Sequence, residues 1–394
     1  MSWTGALREV RTMRFEEVYG RFHQGRLSCA QAADILGMSE RNFLRYRQRY
    51  EAEGAEGLYD RRVGRVSGRR IAADVATRVI ALYATKYFDF NVKHFHEKLR
   101  TEHGFTFSYT WTKRLLHDAG QIKPATARGP HRRKRARKAM AGMMLHQDGS
   151  DHEWVPGVRW DLIVTMDDAT SAIYSMFFVE EEGTMSSFTA LLEVIGTHGL
   201  FGALYADRGA HYWTTKDAGK GIDKDAPTQV KRALDQLAIT LIPASCPEAR
   251  GRSERMFGTL QGRLPQELRA AGITTMDAAN CYLREVFLPA HNARFRVEPA
   301  ESGSAFSPYV GRDLRDILCV QEERVVGRDN CVSYEGLSLQ IPADRHRHHY
   351  VKARVRVHAY PDGGLAVFHG PRCLARYGGD GVLKPETDDV KQAA

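Results

Sequence analysis

Residues 143–179 read MMLHQDGSDHEWVPGVRWDLIVTMDDATSAIYSMFFV, and in this stretch the helical period of the preceding residues gives way to that of strands. Apolar or β-branched runs at 143–147, 160–166 and 173–179 are each of strand length, and Asp167-Asp168-Ala169-Thr170-Ser171 separates the last two as a turn. Three strands are expected, with Asp148 at the end of the first. Downstream, 185–198 reads as a helix, 203–206 as a strand, 228–237 as a helix and 239–242 as a strand. Three strands followed by alternating helix and strand give a mixed sheet with helices packed on it. The polar segment 211–227 reads as a loop insertion, and 253–269 as a further helix disturbed at Pro265.

Upstream of this region the sequence is helical. Ser28 with Gln31 fits a capping box opening a short helix, Gly37-Met38-Ser39 forms a turn, and Ser39 caps a longer helix running to about residue 53. That is the helix-turn-helix pattern. On the second helix Arg41, Arg45, Gln48 and Arg49 share one face, with Phe43, Tyr46 and Tyr50 opposite, so a basic DNA-reading face backs onto a core face. Residues 63–70 read as a linker. A second helix-turn-helix or winged module follows, with Ser108 as a cap and with His94, His96, His103 and His117 as exposed helix histidines. Residues 131–138, HRRKRARK, form a basic tether in which Arg132, Arg133, Lys134, Arg135, Arg137 and Lys138 can track a phosphate backbone. Beyond Pro299, short strands separated by Glu335-Gly336 and Pro361-Asp362-Gly363-Gly364 describe a small β-barrel.

Charge divides the chain along the same line. Residues 1–140 hold 29 basic and 14 acidic side chains, a net +15, whereas the remaining 28 and 34 leave −6. A basic front half joined to a mildly acidic back half points to a polyanion-binding region tethered to a site with carboxylates of its own. Apolar residues at 43% exclude wholesale disorder. No apolar run approaches the ~20 residues that span a bilayer, and the six scattered cysteines are expected to be reduced. The expectation is a soluble, cytoplasmic protein with no membrane partner.

Three carboxylates stand at element edges: Asp148, Asp207 in Ala206-Asp207-Arg208-Gly209, and Glu254 in Gly251-Arg252-Ser253-Glu254-Arg255. Carboxylates converging at strand ends suit Mg2+ or Mn2+, whose coordination is completed by waters and substrate phosphates. Asp151, Asp167 and Asp168 compete for the first position. The segments Ala206-Asp207-Arg208-Gly209 and 243–261 (PASCPEARGRSERMFGTLQ) resemble the DDE transposase and retroviral-integrase superfamily, most closely the ISNCY insertion-sequence transposases. The resemblance extends to the GLYDRR linker at 57–62 and to the later Ala279-Asn280 stretch.

The resemblance implies a multidomain architecture: a helix-turn-helix domain at 1–62, a second such module at 63–125, a basic linker at 126–140, a ribonuclease-H-like α/β catalytic core at 141–300, a linker at 301–318, a small β-barrel at 319–377 and a polar tail at 378–394. It implies an enzyme that binds terminal inverted repeats in double-stranded DNA and catalyses strand cleavage and transfer. Asp148, Asp207 and Glu254 would hold two Mg2+ or Mn2+ ions, with Arg208, Arg252 and Arg255 holding phosphates. It also implies a dimer or larger synaptic assembly in a prokaryotic, nucleoid-associated setting. The spacing of 47 positions from Asp207 to Glu254 is longer than in the best-known integrase cores. A catalytically silent regulator is the alternative, favoured by loss of a triad carboxylate, and none is lost. A ribonuclease H or structure-specific nuclease needs neither two DNA-reading modules nor a basic tether.

Overall fold

The computed structural model describes residues 3–59, 71–123, 136–217, 220–223, 227–244, 251–343 and 347–385. The chain divides into two units, Met1–Thr77 and Arg78–Ala394. In the first, α1 (Trp3–His23), α2 (Cys29–Ile35) and α3 (Glu40–Glu53) enclose Phe15, Val18, Ala32, Ala33 and Phe43. Ser28 Oγ accepts from Gln31 N at 3.2 Å while Gln31 Oε1 accepts from Ser28 N at 2.8 Å, so the expected capping box is present. Ser39 caps α3 through Asn42 N at 3.4 Å. Gly37, at φ 64°, makes the left-handed turn between the two helices, where a side chain would be strained.

The helix α4 (Ala73–Thr85) leads into the second unit, where it joins α5 (Val92–Thr101) and α6 (Tyr109–Asp118) around Tyr83, Tyr87, Phe95 and Leu116. Ser108 caps α6 through Trp111 N at 3.3 Å. The histidines of α5 are not exposed as expected: His94 and His96 are buried, because each has a polar partner in the interior. His96 Nδ1 lies 3.2 Å from Thr112 Oγ1.

The central sheet runs β3-β2-β1-β4-β7, built from β1 (Leu145–Val155), β2 (Val158–Asp167), β3 (Ile173–Val179), β4 (Ala203–Ala206) and β7 (Thr240–Pro243). The first three are antiparallel neighbours, and β4 adds in parallel to β1 and β7 in parallel to β4. On one face α7 (Thr184–His198) and α8 (Gln229–Gln236) bury Phe188, Leu191, Val230 and Leu234 against Leu145 and Leu204. On the other, α9 (Ser253–Gln261), α10 (Leu264–Ala270) and α11 (Met276–Tyr282) bury Phe257, Leu264 and Leu268 against Leu162, Val164 and Met166. Pro265 occupies the first turn of α10, so the expected single helix is two helices, the proline starting the second instead of kinking the first. The segment read as a loop insertion contains the hairpin β5 (Thr214–Asp217) and β6 (Lys220–Asp223).

The exposed edge of the sheet, β3, is covered by side chains. Asn280 on α11 accepts from Phe178 N at 2.6 Å and donates to Phe178 O at 3.0 Å. Asn292 on α12 (Leu288–Phe295) does the same to Ile173, at 2.9 and 2.8 Å. Each amide substitutes for one rung of a missing strand, which keeps the edge from pairing with another chain.

The C-terminal strands are β8 (Val320–Val325), β9 (Cys331–Tyr334), β10 (Leu337–Gln340), β11 (Arg354–Ala359), β12 (Leu365–His369) and β13 (Arg372–Tyr377). They form a four-stranded sheet, β13-β12-β11-β8, and a two-stranded one, β10-β9, around one apolar core. Among the described residues these ladders do not close into a barrel. No disulfide joins the described cysteines, and no described helix is long and apolar enough to cross a membrane.

Charged groups fasten the α4–α6 module to the sheet domain. Glu267 on α10 accepts from His94 Nε2 at 2.7 Å and Lys98 Nζ at 2.8 Å. Glu97 takes both Nη groups of Arg263, at 2.7 and 3.1 Å, and Asp89 holds Arg269. Burial raises the Glu267 carboxyl, but the hydrogen bonds from His94 and Lys98 outweigh it and hold the group at about 2. A carboxyl depressed on folding stabilises the fold above its unfolded value and loses that contribution as pH falls through the folded one. Acidification from about pH 4.5 to about pH 2 is therefore expected to remove up to about 3 kcal/mol through this group alone. Urea unfolding followed against pH should show Glu267→Gln less stable than the parent at pH 7, with the gap closing on acidification.

Candidate active site

Parallel pairing of β1 with β4 is brief, joining Leu145 to Leu204 and His146 to Tyr205. Asp148 and Asp207 each lie two residues past the last pair, and because side chains alternate along a strand both project on the same face as His146 and Tyr205. The rings of those two residues pack 5.0 Å apart beneath them. Leu145, Leu204 and Ala206 point the other way, into the core under α7, and Gln147 Nε2 donates to Ser187 O of α7 at 3.4 Å. The aspartates thus face α9. Asp148 does not end its strand as expected: it is the fourth of eleven residues in β1, which continues into a hairpin with β2.

A small cleft open to solvent is lined by His146, Asp148, Tyr205, Asp207, Ala244 and Ser253. Asp148 is 8% exposed at its floor. Asp207 Oδ1 accepts from Gly209 N at 2.7 Å, and a Cβ on Gly209 would stand 2.9 Å from that oxygen and 3.0 Å from the His211 ring, so glycine keeps the loop closed on the carboxylate. Ser253, which lines the cleft, opens α9, and Glu254, the next residue, is exposed. The far end of α9 is tied to β1 by Gln261 Nε2 donating to Ser150 Oγ at 3.1 Å. The structure therefore brings Asp148 and Asp207 to one cleft, whereas Glu254 is not among the residues that line it. Among the described residues no three His, Cys, Asp or Glu side chains stand close enough to hold a metal ion.

The competing aspartates have other partners. Asp151 sits within β1, paired across the hairpin with Arg159 Nη2 at 2.6 Å. Asp167 is fully buried and accepts from Gly142 N at 3.0 Å, Thr170 N at 2.7 Å and Thr170 Oγ1 at 2.8 Å. Asp168, also fully buried, accepts from His146 Nε2 at 2.7 Å, from Lys138 N at 2.7 Å and from the Arg252 guanidinium. Burial raises the Asp168 carboxyl, and these donors more than reverse it, holding the group far below the usual carboxylate range.

Residues 23–76 match the winged helix-turn helix family. The chain is 34% identical over 355 residues to the putative transposase y4bF of Sinorhizobium fredii (strain NBRC 101917 / NGR234), an alignment covering 89% of this chain and 77% of that one. It belongs to the transposases. A second relative, the transposase for insertion sequence IS1202 of Streptococcus pneumoniae, is 26% identical over 294 residues, 66% of this chain and 63% of that protein. Among solved structures, a simian T-cell lymphotropic virus intasome in complex with PP2A regulatory subunit B56 gamma matches at TM-score 0.35 and 16% identity, over 79% of this chain and 99% of that one. The HTLV-2 integrase catalytic core in complex with magnesium matches at TM-score 0.29 and 16% identity, over 37% and 84%.

In this transposase Arg41, Arg45 and Gln48 are exposed on α3. Arg49 is half-buried: its Nη2 donates to Tyr59 O at 3.1 Å and its guanidinium lies 5.5 Å from the Tyr46 ring centre. Arg132, Arg133, Lys134 and Arg135 lie outside the described residues. Arg137 Nη1 donates to the carbonyls of Asp168 and Ala169 and to Ser171 Oγ, so this guanidinium holds the β2–β3 turn. Arg252 binds Asp168, while Arg208 and Arg255 are exposed. Sequence reasoning did not single out His146 or Glu182. His146 was open to the period-2 rule, being two residues before Asp148 on the same strand face. Glu182 gives no such signal, since only the fold lays its carboxylate against Gly149, leaving no room for a Cβ there.

Asp167→Asn tests the assignment of that residue to the turn. An amide cannot accept at both ends, so one buried donor loses its partner at a cost of about 1–3 kcal/mol. Thermal unfolding should shift down while DNA cleavage per folded molecule stays at the parental level. Loss of cleavage with unchanged stability would place Asp167 in the chemistry instead.

Proposed function

We propose that this transposase binds the terminal inverted repeats of its own element in double-stranded DNA and cleaves and joins strands at a site formed by Asp148, Asp207 and Glu254. The observation that carries the reading is the common register of the two aspartates, two residues beyond the last β1–β4 pair and facing the helix that begins with Ser253 and Glu254. Two hard oxygen donors at one solvent-open cleft fit Mg2+ or Mn2+, ions that are held by one or two carboxylates and complete their shell with water and substrate phosphate. When bound, two such ions would activate the attacking hydroxyl or water and stabilise the leaving 3′-oxygen in an in-line displacement at phosphorus. Asp148 and Asp207 hold them from the sheet, and Glu254 completes the set from α9. The exposed guanidiniums of Arg208 and Arg255 take DNA phosphates at the mouth.

The proposed division of labour gives DNA reading to 1–62 and 63–125, tethering to 126–140, catalysis to a ribonuclease-H-like core at 141–300, and a small barrel-like β-domain to 319–377. Joining two element ends calls for a dimer or larger assembly, acting in the cytoplasm of a prokaryotic cell. Glu254→Gln, Asp207→Asn and Asp148→Asn should each lose cleavage and strand transfer in Mg2+ and Mn2+ while keeping end binding, as read by gel shift beside a strand-transfer assay. A helix-surface ion pair at Glu254 would instead cost at most ~1 kcal/mol of stability and leave activity intact.

Recognition of the element's end is assigned to α3. Arg41→Ala and Arg45→Ala are expected to weaken end binding and to relax discrimination by about 1–3 kcal/mol where each side chain meets a base edge. Arg49→Ala should act differently, lowering the stability of residues 1–77 because its guanidinium holds Tyr59 O. Footprinting and thermal unfolding of the three variants separate these effects.

A further inference from the structure

Asp168 joins three parts of the molecule that sequence keeps far apart. Its Oδ1 accepts from His146 Nε2 at 2.7 Å and from the Arg252 guanidinium, and its Oδ2 accepts from Lys138 N at 2.7 Å. Its own backbone N donates to Met144 O at 3.0 Å. His146 stands two residues before Asp148 on the same face of β1, and Arg252 stands two residues before Glu254 at the start of α9. The carboxylate is fully buried. A buried ion pair is a poor source of stability, because desolvation consumes most of the attraction, but it is an effective way to fix one arrangement of the elements it joins.

We propose that Asp168 is a positioning residue that sets the distance between the Asp148 strand and the Glu254 helix. The inference rests on the reading of Asp148, Asp207 and Glu254 as the metal-holding set. The mechanics follow from α9 itself. At 1.5 Å per residue, Glu254 sits roughly 10 Å along the axis from Gln261, the residue that ties the far end of the helix to Ser150. Between these ends Met256, Phe257 and Leu260 seat the inner face of α9 on the sheet, and exposed Glu254 lies outside that apolar contact. Arg252 on Asp168 pins the end that carries Glu254. His146 bears on the same carboxylate from the strand side, and its ring is fixed from above by Tyr205. Its Nδ1 is buried with no hydrogen-bond partner among the described residues, so Asp168 is the acceptor that orients the imidazole.

The test uses the full-length protein with Asp168→Asn, Arg252→Lys and Arg252→Gln beside Asp148→Asn and Glu254→Gln. Mn2+ binding is read by electron paramagnetic resonance, end-DNA affinity by gel shift, and cleavage against Mg2+ concentration. Removing a partner that orients metal ligands weakens metal binding or activity by about 10–100-fold. Asp168→Asn is therefore expected to need at least about tenfold more Mn2+ for half-occupancy, with cleavage partly recovered at saturating metal and end-DNA affinity unchanged. Arg252→Lys, which keeps the charge, should retain more of the metal affinity than Arg252→Gln.

Parental Mn2+ affinity in Asp168→Asn, with any loss of cleavage tracking the unfolded fraction, would overturn the proposal. Should Asp168→Asn fail to fold, parental Mn2+ affinity in Arg252→Gln would overturn it equally. If Asp148→Asn and Glu254→Gln lose metal and cleavage while Asp168→Asn does not, the positioning role alone falls. If Asp148→Asn and Glu254→Gln cleave as the parent does, the metal-holding set itself falls, and the proposal with it.

Discussion

Two parallel strands that pair for only two residues set the terms for the rest of this protein. Had β1 and β4 stayed in register, the positions after His146 and Tyr205 would have been occupied by ladder hydrogen bonds and close-packed side chains. Because they part, a small cleft opens to solvent there, and Asp148 and Asp207 line it. Arg137 and Arg252 fasten the β2–β3 turn, Lys138 donates to Asp168 through its backbone N, and Arg208 and Arg255 are exposed.

Much of this was legible in the residues. The capping box at Ser28, the cap at Ser39 and the apolar pattern of α3 are local, and local rules describe them. The alternation of helix and strand after residue 184 was equally plain, because each element is bounded by turn residues. Where the reading departed from the fold, a tertiary contact had overridden the local signal. The polar run 148–153 looks like the end of a strand, yet it continues β1, because β2 offers it ten residues of antiparallel partner. His94 looks like a surface histidine on its own helix, yet Glu267, 173 residues away in sequence, draws it inside. Burial of a polar group depends on a partner that single-sequence periodicity cannot see.

The site divides in the same way. Asp207 and Glu254 were marked by their own sequence neighbourhoods, and Asp148 by the apolar strand before it. The residues that hold this neighbourhood in place were not. Asp168 reads as a turn residue, and the β2–β3 turn is indeed where it sits. Its bonds to His146 and Arg252 follow from how the sheet stacks against α9, which no spacing rule encodes. Asn280 and Asn292 are a similar case: each is an ordinary polar helix residue until β3 is seen to be an edge with backbone groups to satisfy.

The join between the α4–α6 module and the sheet domain has a further consequence. Among the described residues the cores around Phe95 and around Leu268 remain separate, and the seam is crossed mainly by polar groups: Glu267, Glu97 and Asp89 with His94, Lys98, Arg263 and Arg269, and Asn91 Nδ2 donating to Gly262 O. Parting two surfaces that share little oil exposes little new hydrocarbon to water, so the change in heat capacity is small. The charged groups that meet there are largely withdrawn from water, so salt screens them much less than it would exposed pairs. Module and sheet domain are thereby joined by a clasp that neither brine nor cold loosens much, whereas each core separately weakens in the cold.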